Sequence, residues 1–348
     1  MMPGQSATDP HLLGARAFRE WITGEREHHS RIFFVERGAE TDAVRHVAGS
    51  DDLVLLPEGT PSWEGVAGVG RYDGAVSEPG DEVFFGERGV ELQDYVAAAF
   101  IQIIGPTAVR FFDASSWQAF IDDAELARDT GVFPTALIDP RVLLADRHTL
   151  AAPDGSDVPS ALRIGDDGAV RAGVQGEVLG DVGDLPAILA TPLPRAASLS
   201  GIAPRERIAG DLAAHEWIGR YLRATDLIKM LGLGNGTARI SGFGWLLVDD
   251  DLADAEPRSS DPFLLDTPEG FVLADTTTLR RQLLSPQTAR VVALVQTSST
   301  PDRATDRVAR TLGIPDDHAR VLCREAVIAL GIHGGRPLSG RLIEEASR

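Results

Sequence analysis

The sequence predicts an α/β or α+β N-terminal region followed by a C-terminal winged helix-turn-helix of three strands and three helices. Three observations carry this. Strand-like and helix-like runs alternate up to about residue 150. Residues 263–267 and 271–275 read as strands joined by a turn at Pro268-Glu269-Gly270, with 279–284 as a third. Three short helical patterns then follow before residue 335.

The elements are justified in order. Leu12, Leu13, Ala17, Trp21 and Ile22 sit at helical spacing within the first 30 residues. "RIFFVERG" (31–38) reads as a strand, "TDAVRHVA" (41–48) as a short helix and "DLVLLPEG" (52–59) as a strand ending in a turn. The phrase F-F-x-E-R-G-x-E occurs at 33–40 and again at 84–91, a weak sign of repetition. "YVAAAFIQIIG" (95–105) predicts a buried helix ended by Gly105-Pro106, and "AVRFFDASSWQAFIDDA" a strand then a helix. Residues 151–256 predict hairpins or a loop-rich linker, then one long helix over 204–231 ended by Gly232. An acidic link at 252–261 introduces a domain over 257–335, with 336–348 as a tail.

In that last domain Ser285 is a good N-cap with Pro286 at the first helical position, and Thr300-Pro301 repeats the device. Gly313 ends the second helix. Asp316 or Asp317 is expected to cap the third, which Gly331 closes. On that helix Leu322, Ala326, Ala329 and Leu330 form one stripe, the expected core.

Charge bears on function. The 348-residue chain has a formal charge of −19. Residues 257–348 hold 12 Arg and 11 Asp/Glu, a net of +1, leaving 21 basic and 41 acidic residues elsewhere, a net of −20. Duplex DNA draws most of its binding free energy from cations on phosphates. A neutral helix-turn-helix on an acidic body suits a peptide better. No run is long and apolar enough to span a membrane, and no signal peptide is evident, so a cytoplasmic location is expected. The single cysteine, Cys323, lies in an apolar helical run and predicts a buried, inert thiol.

Chemistry-bearing motifs are scarce. "GLGNG" (232–236) follows a helix and precedes a strand, the reverse of a dinucleotide loop. His28-His29 and His215-Glu216 lack a third ligand at metal spacing. There is no nucleophile elbow, phosphate loop or His-Glu-x-x-His. No catalytic residue, metal or cofactor is expected.

Residues 260–335 resemble the RiPP recognition element, the small winged helix also seen as the pyrroloquinoline-quinone chaperone type. The resemblance rests on Leu284, Pro286, Ala289, Val292 and Val295 at the entry of the first helix, on Thr300-Pro301-Asp302 opening the second, and on Leu330-Gly331 ending the third. "TTTLRRQL" is more polar than the family's third strand, and "GIHGG" replaces its apolar tail. The overall layout is similar to the stand-alone recognition proteins of daptide biosynthesis. The resemblance implies a domain that binds a precursor's leader peptide as an added strand on its third strand, beside its third helix. The site would then comprise Thr278, Leu279, Arg280, Arg281, Gln282, Leu283 and Leu284 on the strand, with Arg320, Val321, Arg324, Val327 and Ile328 on the helix. Arg281 and Arg324 are expected to flank one groove. The implied partners are that precursor and modifying enzymes: an oxidoreductase, an aminotransferase and a methyltransferase. Neither nucleic acid nor a membrane is an expected partner. A winged-helix transcription regulator with an acidic N-terminal sensor remains an alternative, as does an enzyme using the N-terminal domain.

Overall fold

A computed structural model describes residues 9–152, 155–174 and 176–338, a mixed α/β chain with a large central sheet. The chain divides into two compact units: residues 1–121 with 135–218, and 122–134 with 219–348.

The first unit opens with α1 (Pro10–Thr23), entered at Asp9, whose side chain accepts from the His11 N–H, and ended at Gly24 in the left-handed conformation. There follow β1 (Ile32–Val35), α2 (Asp42–Val47), β2 (Leu53–Pro57), β3 (Gly68–Gly74), β4 (Glu82–Phe85), β5 (Arg88–Asp94), α3 (Tyr95–Ala98), β6 (Thr107–Arg110) and α4 (Ala114–Thr130), which runs on into the second unit. Then come α5 (Thr135–Ile138), β7 (Val142–Leu144), α6 (Arg147–Ala151), β8 (Ser156–Asp157), β9 (Ala161–Ile164), β10 (Ala169–Ala172), β11 (Val178–Asp181), α7 (Leu185–Ala190), β12 (Leu193–Pro194) and α8 (Arg205–Ala214).

Ten strands form one sheet in the order β11-β10-β9-β1-β2-β3-β4-β5-β6-β7. The neighbours β9, β1, β2 and β3 are parallel, as are β5, β6 and β7. Parallel strands covered on both faces read as unbroken apolar runs. That is why IFFV and LVLLP, buried at every position, are legible as strands. By contrast β4 alternates exposed and buried and pairs antiparallel with β5.

Helix α1 packs Ala17, Phe18, Trp21 and Ile22 against the sheet. The Trp21 ring stacks on Phe34 at 4.6 Å, and Phe34 on Tyr72 at 4.6 Å. The Trp21 indole N–H donates to the Leu162 carbonyl at 3.0 Å. A Cβ on Gly70 would lie 2.8 Å from the Gly14 Cα, so only glycine lets α1 and β3 approach this closely.

Several expectations change here. Residues 161–181 form the expected hairpin, β9 with β10, and not a linker, but β9 also pairs in parallel with β1, so the expected boundary at residue 150 falls inside the sheet. The two copies of F-F-x-E-R-G-x-E are not a structural repeat, since the first forms β1 and its exit and the second the β4–β5 hairpin. The buried helix expected at 95–105 is only the four residues of α3; beyond it Phe100 is 85% and Ile104 79% exposed. An apolar run without a polar face carries no helical period to decide its fate.

The second unit contains α9 (Ile218–Leu231), whose first residue falls in the first unit, β13 (Arg239–Ile240), β14 (Ala255–Glu256), β15 (Phe263–Thr267), β16 (Gly270–Ala274), β17 (Arg281–Leu284), α10 (Pro286–Gln296), α11 (Pro301–Leu312), α12 (Asp316–Leu330) and β18 (Arg336–Pro337). The single helix expected over 204–231 is thus two, α8 and α9, separated by a turn at 215–217 where the chain passes between units. The turn itself, His215-Glu216-Trp217, contains neither proline nor glycine. On its first-unit side, Asp211 of α8 accepts the Trp117 indole N–H at 2.8 Å.

A four-stranded antiparallel sheet has the order β13-β15-β16-β17. One face meets α10, α11 and α12 through Leu264, Leu273 and Leu284. The other face carries Phe263, with the Arg220 guanidinium of α9 4.2 Å above its ring. The expected boundary at 256/257 therefore cuts into the unit, because β13 and α9 belong with the strands that follow. The acidic link is also not free. Just before it Asp250 pairs with the buried Arg307 at 2.7 Å; within it Asp254 accepts from the Ser299 N–H and hydroxyl, and β14 pairs with β18. Of the expected tail, Arg336 and Pro337 form that strand, and 339–348 lie outside the described residues.

Two predictions follow from packing. A fragment starting at residue 257 loses α9 and β13, exposes Phe263 and Leu265, and is expected to show no cooperative unfolding by circular dichroism; a stable fragment would place the boundary there after all. Glu20 is 4% exposed. Burial pushes its carboxyl up, but the backbone N–H groups of Glu27, His28 and His29 and the His28 ring hold it, and its pKa is lowered overall. A depressed carboxyl contributes stability that is present above its unfolded pKa and lost as pH falls through its folded one. Glu20→Gln is expected to lose about 1–3 kcal/mol at neutral pH. The gap from the unaltered protein should close in strong acid, as read by thermal melts across pH.

Candidate peptide-binding edge

The expected site falls on β17 and α12, both in the second unit. Strand β17 is shorter than expected. Thr278, Leu279 and Arg280 are not on it; they belong to the turn that precedes it. The cause is Asp275, whose carboxylate accepts from the Thr277 N–H at 2.9 Å and the Thr278 hydroxyl at 2.7 Å. Arg223 of α9 grips the same carboxylate at 3.1 Å. Burial pushes the Asp275 carboxyl up, but the Thr278 and Thr277 hydrogen bonds and the Arg223 charge outweigh it, so its pKa is lowered. Within this turn Leu279 takes a positive φ of 57° and is 69% exposed. A left-handed non-glycine residue costs about 1–2 kcal/mol. Asp275 and Arg223 were absent from the expected site. The D-T-T-T run signals such a turn; nothing local points to Arg223.

Register decides which groups of β17 face outward. The Asp275 N–H donates to the Arg280 carbonyl at 3.0 Å, making 275·280 a hydrogen-bonded pair. Antiparallel pairs alternate between hydrogen-bonded and non-hydrogen-bonded types. Given the pairings Leu273↔Gln282 and Phe271↔Leu284, the main-chain groups of Gln282 and Leu284 turn toward β16. Those of Arg281 and Leu283 turn toward the open edge, since β17 is the last strand of this sheet among the described residues.

Side chains alternate likewise. Leu284 is buried in the core with α10–α12, and Gln282 shares its face. Arg281 and Leu283 project to the other face, where Leu283 is 65% exposed. Arg281 therefore does not flank a groove with Arg324; the pleat puts it on the side of the sheet away from α12.

Helix α12 begins at Asp316 with Pro315 at the N-cap position and no side-chain cap, so neither Asp316 nor Asp317 caps it. Both acids instead lie in its first turn, where they complement the helix dipole. Ala319, Cys323 and Ala326 are buried, with Leu322 and Leu330 partly so, whereas Ala329 is exposed and not core. Burial raises the Cys323 thiol, keeping it protonated. The outer face carries Arg320, Val321, Arg324, Val327 and Ile328, all exposed, with Ile328 at 71%. Arg320 lies 3.6 Å from Asp317, an exposed pair of little energetic weight. Arg324 has no ion-pair partner among the described residues.

The other flagged motifs are structural. Gly232 is left-handed at the end of α9, and Asn235 of the same loop exchanges two hydrogen bonds with the Phe133 backbone. His28 and His29 both turn to Glu20. Among the described residues no group of His, Cys, Asp and Glu could hold a metal ion, and no helix is long and apolar enough to cross a membrane.

No protein-family model, curated protein or solved structure matches the chain.

The register gives a test that needs no ligand. Amide exchange by NMR should find the N–H groups of Arg281 and Leu283 exchanging at least about tenfold faster than those of Gln282 and Leu284. Equal protection of all four would mean the edge is covered.

Proposed function

We propose that this is a non-catalytic recognition protein that binds the leader segment of a ribosomally made precursor peptide and presents it to modifying enzymes, as in daptide-like biosynthesis. The C-terminal unit would act as a winged helix of the recognition-element type, and the leader would add as a strand to β17. The observation that carries this reading is the open edge of β17, with the main-chain groups of Arg281 and Leu283 directed outward. A bare edge is an aggregation liability unless something covers it, and strand addition is how extended peptides are read.

Side chains around the edge fit that use. Leu283 on one face of the strand, and Val321, Val327 and Ile328 on α12, are exposed apolar groups of the kind that fill pockets between alternate peptide side chains. Arg280, Arg281, Arg320 and Arg324 add positive charge in the part of the chain that escapes the general acidity. The same arginines are few for phosphate binding, and exposed valine and isoleucine on α12 do not suit it. Such a reader would work in the cytoplasm beside the oxidoreductase, aminotransferase and methyltransferase that modify the precursor.

Titration of a fluorescent precursor leader tests the reading. Leu283→Pro removes an outward N–H while leaving the pairing to β16, so it should abolish binding and preserve the native circular dichroism. Arg324→Glu should weaken binding about tenfold, or roughly 1.4 kcal/mol. The precursor's mass should stay unchanged when no other enzyme is present. Unaltered affinity in both variants, or a mass shift, overturns the proposal. Affinity for duplex DNA falling steeply with salt would support a regulator instead.

A further inference from the structure

The first unit holds a cavity that the peptide-binding reading does not use. It measures about 530 Å³, within the range of small-molecule sites. Its place in the fold is informative. From β1 the chain moves to β2 on one side, whereas β9 packs in parallel on the other side of β1. The topology therefore switches between β1 and β9. In open parallel sheets ligands bind outside the carboxyl ends of the strands at such a switch. The cavity is lined there by Glu36 and Arg37, just after β1, and by Asp166 and Asp167, just after β9. The two loops touch: a Cβ on Gly38 would lie 3.8 Å from that of Asp166.

The lining has an aromatic base and charged walls. Phe34 and Tyr72 are 1% and 2% exposed, and the Tyr72 hydroxyl donates to the Val35 carbonyl at 2.8 Å. Arg163 is fixed: it donates to Glu36, to the Val174 carbonyl at 2.8 Å and to the Ser77 hydroxyl at 3.0 Å. Two other guanidiniums are held more loosely. Arg37 pairs with Asp73 at 3.0 Å, both well exposed, and Arg171 with Asp167 at 3.1 Å. Exposed pairs of this kind contribute little and exchange readily for a ligand carboxylate. Asp166 has no partner among the described residues and offers its carboxylate to a cation.

The arginines and carboxylates of the lining balance. A phosphate dianion would meet no cation free of an acidic neighbour, and a lone cation would meet three arginines. A molecule bearing both charges fits. We propose that the crevice between the carboxyl ends of β1 and β9 binds a zwitterionic amino acid or short peptide, its ammonium at Asp166 and its carboxylate at Arg37 and Arg171. The site is independent of the β17 edge.

The dipeptide Ala-Phe and free phenylalanine are suitable probes, observed by saturation-transfer NMR on the full chain at millimolar concentration. Transfer is expected from at least one zwitterion and not from N-acetyl-Ala-Phe-amide, which carries neither charge. Asp166→Asn and the pair Arg37→Gln with Arg171→Gln should each weaken the signal at least about tenfold in affinity. These side chains are at the surface, and circular dichroism checks that the fold is retained. Leu283→Pro should leave the signal unchanged. Absence of transfer from both zwitterions, equal transfer from the blocked peptide, or indifference to both sets of substitutions overturns the assignment.

Discussion

The second unit depends on a buried guanidinium. Arg220 of α9 is 4% exposed, lies over the Phe263 ring and donates to the carbonyls of Arg258 and Asp261. Burial lowers its pKa to about 9, against the opposing pull of the Asp261 charge. Asp261 is fully buried and in turn accepts from the His333 N–H and ring. One cation thus joins α9, the start of β15 and the segment leaving α12. Buried ions are costly alone and hold their surroundings to a narrow geometry. Arg220 thus covers Phe263 on the far face of the sheet, while β17 stays an edge strand among the described residues.

Arg307 serves the three-helix side similarly. Its side chain is buried, donates to the Thr297 carbonyl, the Thr297 hydroxyl and the Ser298 hydroxyl, and pairs with Asp250. These contacts tie α11 to the end of α10 and to the acidic stretch near 250. They explain why that stretch is not a linker: several of its carboxylates are committed partners. The excess acidity of the chain is therefore partly structural. Arg223 extends the same logic to the candidate site, holding Asp275 and so the turn that sets where β17 begins.

The first unit follows another rule. Its sheet is built mainly from parallel strands, whose partners are chosen by crossovers and not by adjacent hairpins. That places the ends of β1 and β9 side by side although the paired Val35 and Ile164 are 129 residues apart in sequence. The charged loops beyond those ends share one crevice for this reason alone.

Local pattern by itself determined the elements whose burial is uniform or periodic. IFFV, LVLLP, the apolar face of α1, the three strands from 263 to 284 and the Ser-Pro and Thr-Pro helix starts were legible because each is specified by its own side chains and caps. Tertiary structure decided the rest. ALRI and AVRA were legible as a hairpin, but that this hairpin joins the main sheet was decided by β1, with which ALRI pairs in parallel. The turn between α8 and α9, His215-Glu216-Trp217, contains no proline or glycine to announce it. Which side of the sheet Arg281 faces depends on pairing with β16 and on where the helices pack, and no single strand contains that information. A residue's neighbours along the chain set its local conformation; its neighbours across the fold set what it can bind.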